Sequence, residues 1–201
     1  MRPAVRLAAA LAALALPLAA AAARAAEPDP RLDAFRAACL PDHRQPAKRP
    51  AVFRREGWAT ATDTDSPMLA EVMKLARSAA EEGKADGVTS ELSVWRKQID
   101  GRAAFLVLSV VTSEAISLTG CYLYDFGALT GIDPALITGW VAEPPAQTVD
   151  RVGLAAQIWN VESIDGVLDL QNSLVAPDSQ AARIVGFHGA SIKLTSGVEK
   201  P

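Results

Sequence analysis

The chain predicts an α+β domain: an antiparallel sheet of about six strands covered by N-terminal helices and one inserted short helix. Three observations carry this. Helix signals cluster in the first half, β-rich runs dominate the second, and two Asp-Gly pairs, Asp100-Gly101 and Asp165-Gly166, each join β-rich runs. Asp-Gly supplies the left-handed backbone that tight antiparallel hairpins need. Helices followed by strands with one helix inserted is an α+β order, not the regular alternation of a parallel α/β fold.

The elements follow in order. Residues 1–25 read as a secretory signal peptide: Arg2 and Arg6, an apolar run from Leu7 to Ala23, then Ala23-Arg24-Ala25 as an A-x-A cleavage site. The competing reading is a retained anchor, but the run is shorter than the roughly 20 residues a spanning helix requires, and Pro17 interrupts it. There is no cysteine for acylation and no twin arginine. Residues 26–201 then form a single globular domain of 176 residues, 201 less the 25 of the leader. Cleavage removes three arginines, leaving 17 basic and 23 acidic residues and a formal charge of −6. That balance points away from nucleic acid as a partner. No later segment is long and apolar enough to insert in a bilayer after cleavage. The expected localisation is periplasmic or secreted, with an envelope component as one form of partner.

Asp29-Pro30 opens a helix, as an N-cap acid before proline at the first helical position. Leu32, Phe35 and Cys39 follow on its apolar face, and Pro41 stops it. Pro50 opens a second short helix through Val52 and Phe53 to Gly57. Ser66 caps, Pro67 starts and Gly83 ends the clearest helix, with Leu69, Val72, Met73, Ala76 and Ala80 on one face and Arg77 and Glu81 spaced to pair. Residues 91–98 and 103–112 flank the first Asp-Gly turn as a hairpin, with 103–112 apolar enough to be a central strand. Residues 115–125 return as a third strand. Its alternation changes parity between Leu118 and Cys121, which predicts a bulge at Gly120. Asp133-Pro134 begins the inserted helix. Residues 152–163 and 167–175 flank the second Asp-Gly turn, Pro177 to Arg183 reads as a polar loop, and 184–195 alternates as a last strand.

Cysteine chemistry is the sharpest site prediction. An even pair, Cys39 and Cys121, in an exported chain favours a disulfide joining the first helix to the third strand. Two alternatives stay open. The thiols are free and buried, or Cys39, His43, Cys121 and His188 form a Cys₂His₂ zinc site, although they lack the paired spacing of such sites. No cofactor is implied. There is no C-x-x-C, G-x-S-x-G, S-x-x-K, H-E-x-x-H or phosphate loop. Asp63 and Asp65 read as a polar turn, not as part of a calcium loop. The segment from His43 to Arg55 holds Arg44, Lys48, Arg49, Arg54 and Arg55 and no acid, a candidate contact for an anionic surface. His188 shares parity with apolar neighbours and reads as a core histidine, and the four tryptophans read as packing residues.

Phe35-x₃-Cys39, Gly57-Trp58 and Gly120-Cys121-Tyr122-Leu123, with Leu136 and Trp140 downstream, resemble small exported proteins of proteobacteria with a cysteine on an N-terminal helix, a Gly-Trp and a second cysteine on a strand. The resemblance implies export and a disulfide, and no activity. The expected function is therefore an exported binding or envelope-associated protein without catalysis. The alternative is a small hydrolase-like enzyme whose scattered site includes His188 or His43. A Ser or Asp beside His188 in a concave pocket would favour the enzyme.

Overall fold

A computed structural model describes residues 27–200, so the leader lies outside the described residues. One antiparallel sheet of eight strands organises the chain, two more than expected. Its order is β1(Ala59–Ala61), β2(Thr89–Ile99), β3(Arg102–Thr112), β4(Ile116–Asp125), β8(Gly189–Glu199), β7(Val167–Val175), β6(Leu154–Trp159) and β5(Gln147–Arg151). Two meanders, one on each side, are joined where β4 pairs β8.

Helices cover both faces. On one face lie α1(Pro30–Cys39), α2(Arg49–Arg55) and α4(Pro134–Val141), packed through Phe35, Phe53 and Ile137 onto Leu106, Leu123 and Ile192. On the other face lies α3(Pro67–Gly83), which buries Leu69 and Met73 against Val94, Phe105 and Val107. Capping sets these helices. The Asp29 and Asp133 carboxylates accept from the backbone N–H groups of Arg31 and Ala135, and the Ser66 hydroxyl accepts from that of Leu69. Each cap is followed by proline, whose missing N–H costs nothing at that position.

The first Asp-Gly turn forms as expected: Ile99 pairs Arg102, with Asp100 and Gly101 both at positive φ. Residues 104–108 are buried without a break, because β3 is central and covered on both faces. The Gly120 bulge does not form. The register of β4 runs unbroken past Gly120 against both neighbours. Its two parities are real because each serves a core: Cys121 and Leu123 face α1, whereas Tyr122 and Tyr124 face the α3 side. The bulge is instead in β7, between Val167 and Asp169.

Three other expectations change. The strand expected over 152–163 is shorter, spanning only β6: a Val152-Gly153 turn joins it to β5, which was not expected, and a link from 160 to 166, ending in Asp165-Gly166, joins it to β7. The stretch read as a polar loop holds α5(Gln180–Val185), capped by Ser179, so the last strand starts at Gly189 and not at 184. Arg77 and Glu81 do not pair. Arg77 reaches Asp63 at 2.7 Å, and Glu81 takes Lys84 at 2.6 Å.

Candidate functional site

Between α3 and the end of α5, the second face of the sheet stays open as a groove of about 240 Å³. Val72, Leu75 and Ala76 of α3 form one wall, and Val185 and Phe187 the other. The floor is Leu92, Val107 and Ser109 with Tyr122 and Tyr124. Every lining group is apolar or a hydroxyl. Leu75 and Ile184, 51% and 67% exposed, extend the apolar character onto the surface beside it.

The floor follows from strand periodicity. Tyr122, Tyr124 and Phe126 alternate and therefore fall on one side of the chain. Tyr122 and Tyr124 stack with ring centres 6.2 Å apart, Tyr124 and Phe126 with 5.5 Å, and Phe187 meets Tyr124 edge-on at 5.6 Å. Gly120 is required here: a Cβ on it would lie 2.6 Å from the Tyr122 ring, so the missing side chain lets that ring lie across the strand. Burial, with the adjacent Tyr122, pushes the Tyr124 phenol above its ordinary range, so it is a neutral hydroxyl that can donate. Lys193 lies beside the groove, 5.8 Å from the Tyr122 ring centre, and is paired with Asp169 at 3.5 Å.

At the far end of β4, Asp125 is buried between two arginines. Arg102 bonds it at 2.9 Å, and Arg31 approaches to 3.9 Å while bonding Asp29 at 2.6 Å. Burial alone would raise the Asp29 carboxyl. The Arg31 guanidinium, with two backbone donors, outweighs that and holds it below the usual carboxylate range. Arg31 also donates to the carbonyl of Thr130 at 2.9 Å, so the cluster ties the start of α1 to the loop after β4. Its groups are spent on one another, which makes it a structural clamp.

Cys39 and Cys121 form the expected disulfide, with Cα atoms 5.9 Å apart and both residues fully buried. The bond consumes both thiolates that zinc would have required. His43 and His188 are not brought to it. The two nitrogens of His43 face the carbonyl oxygens of Leu40 at 2.9 Å and Asp165 at 2.8 Å, so neither is free to act as a base. His188 is half-buried with its Nδ1 buried and unpartnered, and among the described residues no Ser or Asp side chain bonds it. It is therefore not the satisfied core histidine expected.

Of the five basic residues in the candidate surface, Arg49 alone is buried. Arg44 pairs with Asp165 across Gly166, and Arg55 bonds Glu56 at 3.2 Å. Arg54 lies over Trp95, its guanidinium carbon 5.5 Å from the ring centre. Lys48 is exposed. Arg49 is removed from any such surface: it is 0% exposed, and none of its three guanidinium nitrogens has a hydrogen-bond partner. Asp63 and Asp65 hold Arg77 and Arg96. Among the described residues no group of three or more His, Cys, Asp or Glu is placed to hold a metal, and no helix is long and apolar enough to cross a membrane.

Comparison with known proteins leaves the argument on this geometry: no family model, no curated protein and no solved structure matches the chain. The groove itself was missed in the sequence. The available signal was the period-two run Tyr122-x-Tyr124-x-Phe126, which places three aromatic rings on one strand face.

Proposed function

We propose that the protein is an exported, non-enzymatic binding domain of the periplasm or cell envelope whose ligand site is the groove between α3 and α5. The observation that supports this is a concave site lined only by apolar and hydroxyl side chains. Such a lining favours taking apolar matter out of water and supplies no acid–base pair. The leader supports export, as does a disulfide, a bond that persists in oxidising compartments. The resemblance to small exported proteobacterial proteins points the same way. The hydrolase alternative gains nothing from either histidine's surroundings.

Two measurements test the reading. Protein recovered from its native host should begin at Ala26 and fractionate with the envelope or periplasm. An intact Met1 on a cytoplasmic product would overturn the location. Titration with toluene, followed by amide resonances, should give saturable shifts around residues 107–109, 122–124 and 185–187 that vanish in Ala76→Trp, where an indole fills the groove. Toluene that moves no resonance in this set would remove the groove as the site.

A further inference from the structure

We infer that the groove selects a small, uncharged, single-ring aromatic molecule carrying one hydrogen-bonding substituent, held by the Tyr124 phenol. The inference rests on the groove being the ligand site. Tyr124 is only 9% exposed, it lines the groove, and among the described residues its hydroxyl bonds no protein group and keeps contact with solvent. An apolar occupant of the groove would take that water away and leave the phenol unsatisfied, which is costly. An occupant with one hydrogen-bonding group of its own would replace the water.

Size, charge and shape narrow the class. At roughly 30 Å³ for each water-sized unit, the groove holds about eight such units. That suits one substituted ring seated whole in the groove. No charged side chain lines the groove, and the nearby Lys193 is neutralised by Asp169, so an ion entering would shed its hydration for nothing. Tyr122, half-buried and lying across Gly120, and Phe187, edge-on to Tyr124, give the site aromatic surfaces, against which a ring packs in offset or edge-to-face geometry. The occupant is assigned as a free small molecule, because the volume is that of one ring with its substituent.

The test compares wild type with Tyr124→Phe, each titrated with 4-methylphenol, toluene, 4-methylbenzoate and N-acetyltyrosine amide and followed by amide resonances. Wild type should bind 4-methylphenol about 5–10-fold more tightly than toluene, the worth of one hydrogen bond. Tyr124→Phe should erase that advantage and leave toluene unchanged, which also shows that the variant is folded. The benzoate should bind more weakly than toluene at neutral pH. Equal affinity for 4-methylphenol in the two proteins, or a benzoate that binds best, would overturn the assignment while leaving the groove as a site. Tighter binding of the tyrosine amide would transfer the site to a partner's side chain and overturn the free-ligand assignment. Failure of toluene as well would overturn the groove reading itself. Ala76→Trp should lose every ligand together, and retention of any in that variant would place binding elsewhere.

Discussion

Replacing Arg49 with methionine should stabilise the protein, although it deletes a charged residue at the start of α2. The guanidinium is wholly buried, its three nitrogens have no hydrogen-bond partner, and burial pushes its pKa well below the ordinary guanidinium value, to about 10, a fall that the charge of Asp42 only partly opposes. Each tenfold loss of proton affinity is worth about 1.4 kcal/mol, so keeping the group charged costs the fold roughly 3 kcal/mol. Against this stands the Phe53 ring, 5.4 Å from the guanidinium carbon, a contact worth up to about 2 kcal/mol when desolvated. Methionine keeps an unbranched chain in the same space, and its sulfur regains part of the aromatic contact, about 0.3–1.5 kcal/mol. The expected gain is therefore about 1–2 kcal/mol. Urea unfolding reads it as a higher midpoint at unchanged slope. The pH dependence has a fixed sign. The unfolded chain holds the proton more tightly than the fold, so the penalty is complete below about pH 10 and fades only above it. The gain should thus be constant across neutral pH. A loss of more than about 1 kcal/mol in Arg49→Met at constant slope would show that the guanidinium has a partner after all, and would refute the reasoning.

Removing the disulfide as Cys39→Ala/Cys121→Ala, with its 82-residue separation, should cost about 4–5 kcal/mol in urea unfolding, and unreduced denatured wild type should titrate no thiol. Val152→Asn should raise stability by about 0.5–1 kcal/mol, because Val152 sits at φ +50° in the β5–β6 turn with its side chain 52% exposed, a conformation asparagine tolerates and valine does not; an unchanged midpoint would count against strain there. The lowered Asp29 carboxyl contributes stability that is present above its unfolded value near 3.8 and lost as pH falls through the lower folded value, so acid titration of Asp29→Asn should show a shallower fall below about pH 4 than wild type.

Much of the fold was legible because its signals are local. Asp29, Ser66 and Asp133 before prolines mark three helix starts, and Asp100-Gly101 marks a hairpin, through chemistry confined to a few residues. The β5–β6 hairpin was hidden for the opposite reason. Val152-Gly153 carries only half of the expected turn pair, and β5, Gln147-Thr148-Val149-Asp150-Arg151, is a polar edge strand whose alternation buries almost nothing. The short α5 was hidden because only six residues separate its two boundary signals, Ser179 and Gly186, and Ile184 on it is exposed, so its apolar residues fit a strand parity equally well.

Parity on β4 shows where a single-face view of the sheet breaks down. Two apolar sets on one strand suggest a bulge only if one face is assumed to meet solvent. With helices on both faces the same pattern needs no irregularity: odd positions carry the disulfide and the α1 core, and even positions carry the aromatic row. The disulfide was legible because two cysteines in a chain whose sequence reads as exported have few alternatives. The groove was not, because it depends on where α3 stops covering the sheet and on α5 supplying the opposite wall, neither of which is encoded near Tyr122 or Tyr124. The same distance between cause and position explains Arg49. Five basic residues within thirteen read as a surface, yet α2 turns Arg49 inward onto Phe53. A buried guanidinium without a hydrogen-bond partner is costly to the fold, and an apolar side chain of similar length answers it better.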